Sequence, residues 1–221
     1  MAEERAAPVA VSALANPAAL GLAAFALTTF ILSSTNAMGA NGAPLLAVYG
    51  FALFYGGLGQ FCAGMWEFKT GNTFGATAFT TYGAFWMGVA AFLTLVLFGK
   101  VTDKEVLPSL GWILLAFAIF NTYMTIWSLR INLAVFLVFL TLEITEILLF
   151  VGAFNGDAPG KGITSIGGYV GILTALVAWY TSAATVANSM RPRPILPVGR
   201  AVWMESGGPM AVETSGRPVV R

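Results

Sequence analysis

Histidine is missing from the 221 residues, and cysteine occurs once, as Cys62. The first absence removes the commonest metal ligand and the side chain best suited to act as a base near neutral pH. The second excludes an intramolecular disulfide and a thiolate metal cluster. Hydrolytic or metal chemistry would have to be built from carboxylates alone, so neither an enzyme, a metal nor a cofactor is expected. Charge is scarce too: Asp, Glu, Lys and Arg make up 10% of the chain, against about 25% in soluble domains. A net charge of +1 offers no basic surface for nucleic acid.

What the chain has instead is apolar sequence, 57% of its residues, with charges crowded at the ends and in a few short gaps. A spanning helix needs about 20 apolar residues. The runs predict an all-α membrane protein of six transmembrane helices, over about Pro17–Asn36, Pro44–Trp66, Thr73–Gly99, Pro108–Trp127, Ile131–Phe154 and Ser165–Asn188. The lipid bilayer is then the main partner. Residues 1–15 form an N-terminal segment, 16–190 the membrane domain, and 191–221 a mostly unstructured tail with five prolines. Glu3 and Glu4 precede Arg5, unlike the basic start of a secretory signal, so the first apolar run is expected to be retained. With the N-terminus inside, eight Lys or Arg flank the cytoplasmic side and three, Lys100, Lys104 and Lys161, the other. The positive-inside rule therefore puts both termini in the cytoplasm, in a plasma or bacterial inner membrane.

Several polar residues interrupt the runs. Asn16-Pro17 and Asn72-Thr73 open the first and third spans. Asn is a good N-cap and Pro suits the first helical position. Both helix starts would also present free N–H groups and a partial positive charge, which favours an anion. Gly56, Gly57, Gly59, Ala63 and Gly64 of the second span allow close helix approach, with Gln60 in their midst. Thr28 and Thr29, and Thr77, Thr80 and Thr81 before Tyr82, either line a mildly polar route or bond back to their own helices. Glu143 and Glu146 lie one turn apart on one face of the fifth span. Ionisable groups so deep in a membrane face a cavity or a partner. They serve a proton relay or hydrogen-bond to neighbouring helices or subunits.

Three stretches carry a resemblance. Residues 16 to 22 read NPAALGL, 55 to 86 read YGGLGQFCAGMWEFKTGNTFGATAFTTYGAFW, and 193 to 199 read RPILPVG. They resemble the acetate uptake transporter family, the group of bacterial succinate–acetate permeases and fungal ammonia/acetate export proteins. The resemblance implies six helices per protomer, a homo-hexameric ring with one pathway in each protomer, and transport of acetate and similar short carboxylates, succinate included, as a channel or a proton symporter. It implies an apolar constriction of Phe25, Tyr82 and Leu142, with Ala178 as a small residue near the path that tunes acceptance of larger acids. Asn16, Thr28, Gln60, Asn72 and Thr81 are the expected lining. The pattern is broken twice: Ala19 replaces the signature's second proline, and Glu146 stands where bacterial members are expected to carry an apolar residue. The competing readings are a pore for a neutral solute (urea, ammonia or undissociated acid) and a membrane sensor without transport.

Overall fold

The computed structural model describes residues 14–190 and 192–203, and within them the chain is helical. Helix α1 runs Ala18–Met38 and α2 Leu45–Leu53. A π-helical segment, Phe54–Gly59, joins α2 to α3, Gln60–Thr70. Then come α4 Thr73–Leu97, α5 Asp103–Ser128, α6 Leu133–Asn155 and α7 Gly162–Ser189. With α2 and α3 continuous over Leu45–Thr70, six helical units are long and apolar enough to cross a membrane. The six spans expected from the apolar runs are therefore present, with shifted ends. The fourth starts at Asp103 rather than Pro108, because the Glu105 carboxylate caps the turn by accepting from the Thr102 N–H (3.0 Å) and hydroxyl (2.6 Å). Pro108 then sits inside the helix at the loss of one backbone bond.

Around the bundle α1 packs on α7, α7 on α6 and α6 on α5, while α3 packs on α4. The α4–α5 seam is the loosest of these and leaves an open apolar groove of about 520 Å³. Small residues bring the tight pairs together. A side chain on Gly168 of α7 would meet the backbone of Ala37, and one on Gly171 would meet Ser33. In the second span Gly56 abuts Thr28 and Gly64 abuts Thr80, so its glycines serve close helix approach. The run of glycines also accommodates the π-helical segment, which the sequence reading does not anticipate.

Residues 192–203 belong to the stretch expected to be unstructured, yet they dock on the bundle. The Ala134 N–H donates to the Val198 carbonyl (2.9 Å), the Tyr180 hydroxyl to the Pro197 carbonyl (2.6 Å), and the Asn188 amide to the Leu196 carbonyl (2.9 Å). Trp203 stacks on Trp127, with Arg130 over its ring at 5.4 Å. The prolines here fix an extended strap whose carbonyls find donors on α6 and α7. The expectations for residues 1–13 and 204–221 lie outside the described residues.

Candidate functional site

Four cavities follow one another through the bundle, each sharing wall residues with the next. The first, about 430 Å³, opens where α1, α4 and α6 begin. Leu22, Ala78, Phe79 and Phe139 pass from its wall into a second cavity of about 20 Å³. Phe25, Tyr82 and Leu142 separate that space from a third, of about 40 Å³. Leu32, Asn36, Phe85, Leu114 and Leu149 carry the third into a fourth, of about 260 Å³, near the ends of α1 and α4. The track is an hourglass, narrowest at the Phe25–Tyr82–Leu142 triad.

The first cavity is a vestibule built on helix starts. Asn16 Oδ1 accepts from the Ala18 N–H (2.9 Å), Asn72 Oδ1 from Gly75 (3.1 Å) and Asn132 Oδ1 from Val135 (2.9 Å). All three asparagines line it. Asn16 and Asn72 are the capping residues expected from sequence. Asn132 carries the same signal, an Asn one residue before an apolar run, and the sequence reading passes over it. Three positive helix ends thus converge on one mouth, an arrangement that attracts an anion.

At the waist, rings hold Tyr82 from several sides. Phe25 meets it edge-on at 5.8 Å, Phe120 edge-on at 5.7 Å and Phe117 at 5.8 Å. Its hydroxyl lies 3.0 Å from Asn121 Oδ1 and 3.1 Å from Glu146 Oε1, one proton between two acceptors. Asn121, fully buried on α5, donates its amide hydrogens to the Phe139 carbonyl (3.0 Å) and to Glu143 Oε2 (2.9 Å). Glu143 Oε1 accepts from the Thr122 hydroxyl at 2.7 Å. The two glutamates are therefore not one unit. Glu146 is buried on the track, while Glu143 is half-buried beside α5, and Tyr82 and Asn121 lie between them.

Polar atoms without partners occur on both sides of the waist. Gln60 Oε1 stands on the vestibule side, and Thr29 Oγ1, Trp86 Nε1 and Glu146 Oε2 on the other. Buried polar groups are nearly always paired, so four such atoms beside one aperture mark it as a place where something polar passes or binds.

Three expected lining residues fall elsewhere. Thr28 is fully buried against Gly56 and donates to the Ala24 carbonyl of its own helix at 3.2 Å. Its neighbour Thr29 faces the track instead, because successive residues on a helix point about 100° apart. Thr81 lines the outer α4–α5 groove. Ala178 lies in the packed cluster around Phe25, Tyr82 and Leu142 without lining any of the four cavities. Its helix is held to α1 nearby by the Ser182 hydroxyl on the Ala19 carbonyl at 2.7 Å. Ala178→Phe is expected to overpack this cluster and cost about 1–3 kcal/mol. The check is a lower unfolding temperature of the purified variant, rather than a blocked path in a stable protein.

Asn121, Trp86 and Glu67 are missed by sequence reasoning. Glu67 is buried at the end of α3, its Oε2 accepting from Thr70 at 3.1 Å. The signal for Asn121 was available: an amide within an apolar span, the feature that singles out Gln60.

A multi-pass helical bundle threaded by a constricted track is the build of a membrane transport protein. Residues 2–198 match the GPR1/FUN34/yaaH family, and the chain belongs to it, in agreement with the resemblance read from the three motifs. It is 42% identical to acetate permease A of Emericella nidulans over 206 residues, covering 87% of this chain and 68% of that protein. It is 36% identical to the succinate-acetate/proton symporter SatP of Escherichia coli over 189 residues, covering 85% of this chain and 97% of that one. The solved structure of the bacterial acetate channel SatP superposes with a TM-score of 0.77 at 35% identity, covering 85% of this chain and all of that one.

Proposed function

We propose that this protein is a permease for acetate and related short monocarboxylates, with succinate as a larger candidate substrate. The observation that carries the reading is the hourglass track, whose waist is Phe25, Tyr82 and Leu142. A small acid passes its methyl group along apolar walls cheaply. A hydrated inorganic ion would lose water there and gain nothing to replace it. Gln60 on one side and Glu146, Trp86 and Thr29 on the other supply polar partners on entry and exit. The capped helix ends of the vestibule draw an anion to the mouth. The names of the relatives, an acetate permease and an acetate channel, agree with this assignment. Asn16, Asn72 and Gln60, on the walls of the first two cavities, are assigned to the lining of the path.

Both termini are assigned to the cytoplasm, in the plasma or bacterial inner membrane, from the Lys and Arg excess, which places the vestibule on the cytoplasmic side. A homo-hexameric ring with one path per protomer follows from the family resemblance. The deciding experiment is uptake of radiolabelled acetate into liposomes holding the purified full chain. Saturable uptake, competed by other short acids, is expected. Folded protein giving no uptake above empty liposomes would defeat the reading.

A further inference from the structure

The cavity beyond the waist, on the far side from the vestibule, has a donor and acceptor set of its own. We infer that Thr29, Trp86 and Glu146 form a carboxyl-binding subsite there, and that it takes the acid in its undissociated form. This inference rests on the permease reading and specifies which species of the substrate that path recognises.

The carbonyl of Phe139 can only accept, so the amide nitrogen of Asn121 must face it, and Asn121 Oδ1 is left as an acceptor. Its partner is the Tyr82 hydroxyl, at 3.0 Å. That hydroxyl also lies 3.1 Å from Glu146 Oε1, and it has one proton. If Glu146 were ionised, one of the two contacts would set oxygen lone pairs against each other in a buried site. A proton on Glu146 Oε1 satisfies both, with Glu146 donating to Tyr82 and Tyr82 donating to Asn121. The other oxygen, Oε2, then faces the cavity as an acceptor with no partner.

The same cavity wall carries Trp86 Nε1, which can only donate, and the Thr29 hydroxyl, which can donate. One acceptor and two donors match an undissociated carboxyl group, whose O–H would donate to Glu146 Oε2 and whose carbonyl would accept from Trp86 and Thr29. A carboxylate fits worse, because one oxygen would face Oε2 with no hydrogen between them. All three side chains are more than nine-tenths buried, so water cannot cheaply stand in for the missing bonds. The space, about 40 Å³, exceeds the 10–15 Å³ or so that one water needs, and suits a one- or two-carbon acid.

Few other charges bear on this group. Tyr82 on α4 and Glu143, one turn back on α6, are the titratable residues that face Glu146. Helices α1 and α7 contain no charged residue, α4 contributes only Tyr82 at this level, and α5 contributes Asn121 and Leu114. Among the described residues of these helices the one cation is Lys104, exposed in the first turn of α5; none lines the cavity to hold an anion there, and the proton travels on the substrate.

The test is acetate uptake into proteoliposomes across a pH series, with wild type and three variants checked for assembly by gel filtration. For wild type, half-saturation expressed as undissociated acid is expected to stay constant with pH. Expressed as anion, it should fall as the pH is lowered. Trp86→Phe keeps a ring and loses the donor, and should raise half-saturation about three- to tenfold with maximal rate retained. Glu146→Leu should do the same. Glu146→Gln should raise half-saturation less than Trp86→Phe does, because its amide can donate to Tyr82 and present a carbonyl oxygen to the cavity. Should Glu146→Leu fail to assemble, the other two variants still decide. A rise for Glu146→Gln as large as that for Trp86→Phe, an unchanged Trp86→Phe, or half-saturation that follows the anion would each overturn the subsite. Absence of saturable uptake by wild type would instead overturn the permease reading.

Discussion

Leu142→Ala is expected to raise acetate flux about fivefold and to admit longer acids such as butyrate. Leu142 is one of three residues shared by the two cavities at the waist, which measure about 20 and 40 Å³. Cutting its isobutyl group to a methyl merges them, while Phe25 and Tyr82 stay braced by their edge-on contact. Lowering the crossing barrier by about 1 kcal/mol corresponds to about a fivefold gain in rate. Burial of Leu142 predicts a stability cost near the low end of about 2–5 kcal/mol, since the site already borders open space. The measurement is proteoliposome uptake of a series of straight-chain acids, normalised to assembled protein. Acetate flux and chain-length cutoff both unchanged would remove Leu142 from the waist.

The spans and their caps were readable because both are local. A run of about 20 apolar residues has few alternatives to a membrane helix, and Asn72 stands directly before the helix it caps while Asn16, one residue further out across Pro17, accepts from the first N–H of α1. The motifs located Phe25 and Tyr82, which meet across the bundle. Helix rotation was harder to read. Helix α1 is buried on much of its surface, so apolarity does not mark the face that turns to the track. For that reason the apolar pattern does not separate Thr28 from Thr29, and it is Thr29 that faces the cavity. Ala178 shows another ambiguity, since a small residue suits a path wall and a helix contact equally, and here the helix contact holds. The pairing of Glu146 with Tyr82, 64 positions apart, is a tertiary fact that no local pattern encodes.

Asn121 should prove the most sensitive polar position in the bundle. It is fully buried, and its amide joins Tyr82 and the Phe139 carbonyl to Glu143, tying α4, α5 and α6 together. Asn121→Leu keeps much of the volume but removes the amide donor shared by the Phe139 carbonyl and Glu143 Oε2, and the acceptor of the Tyr82 hydroxyl, leaving the Thr125 and Thr122 hydroxyls as the remaining partners of the first two. Losing this set of buried hydrogen bonds costs about 1–3 kcal/mol, and a fall in unfolding temperature is expected. Asn121→Asp separates hydrogen bonding from shape. When ionised, the new carboxylate faces the Phe139 carbonyl and Glu143 with no hydrogen to give. When protonated, it regains one donor and still accepts from Tyr82. Its unfolding temperature should therefore rise as pH falls, relative to wild type at the same pH. Thermal unfolding of both variants across a pH series reads this directly. An Asn121→Asp protein as stable as wild type at alkaline pH would mean that the amide is not what holds Glu143 and Tyr82 in place.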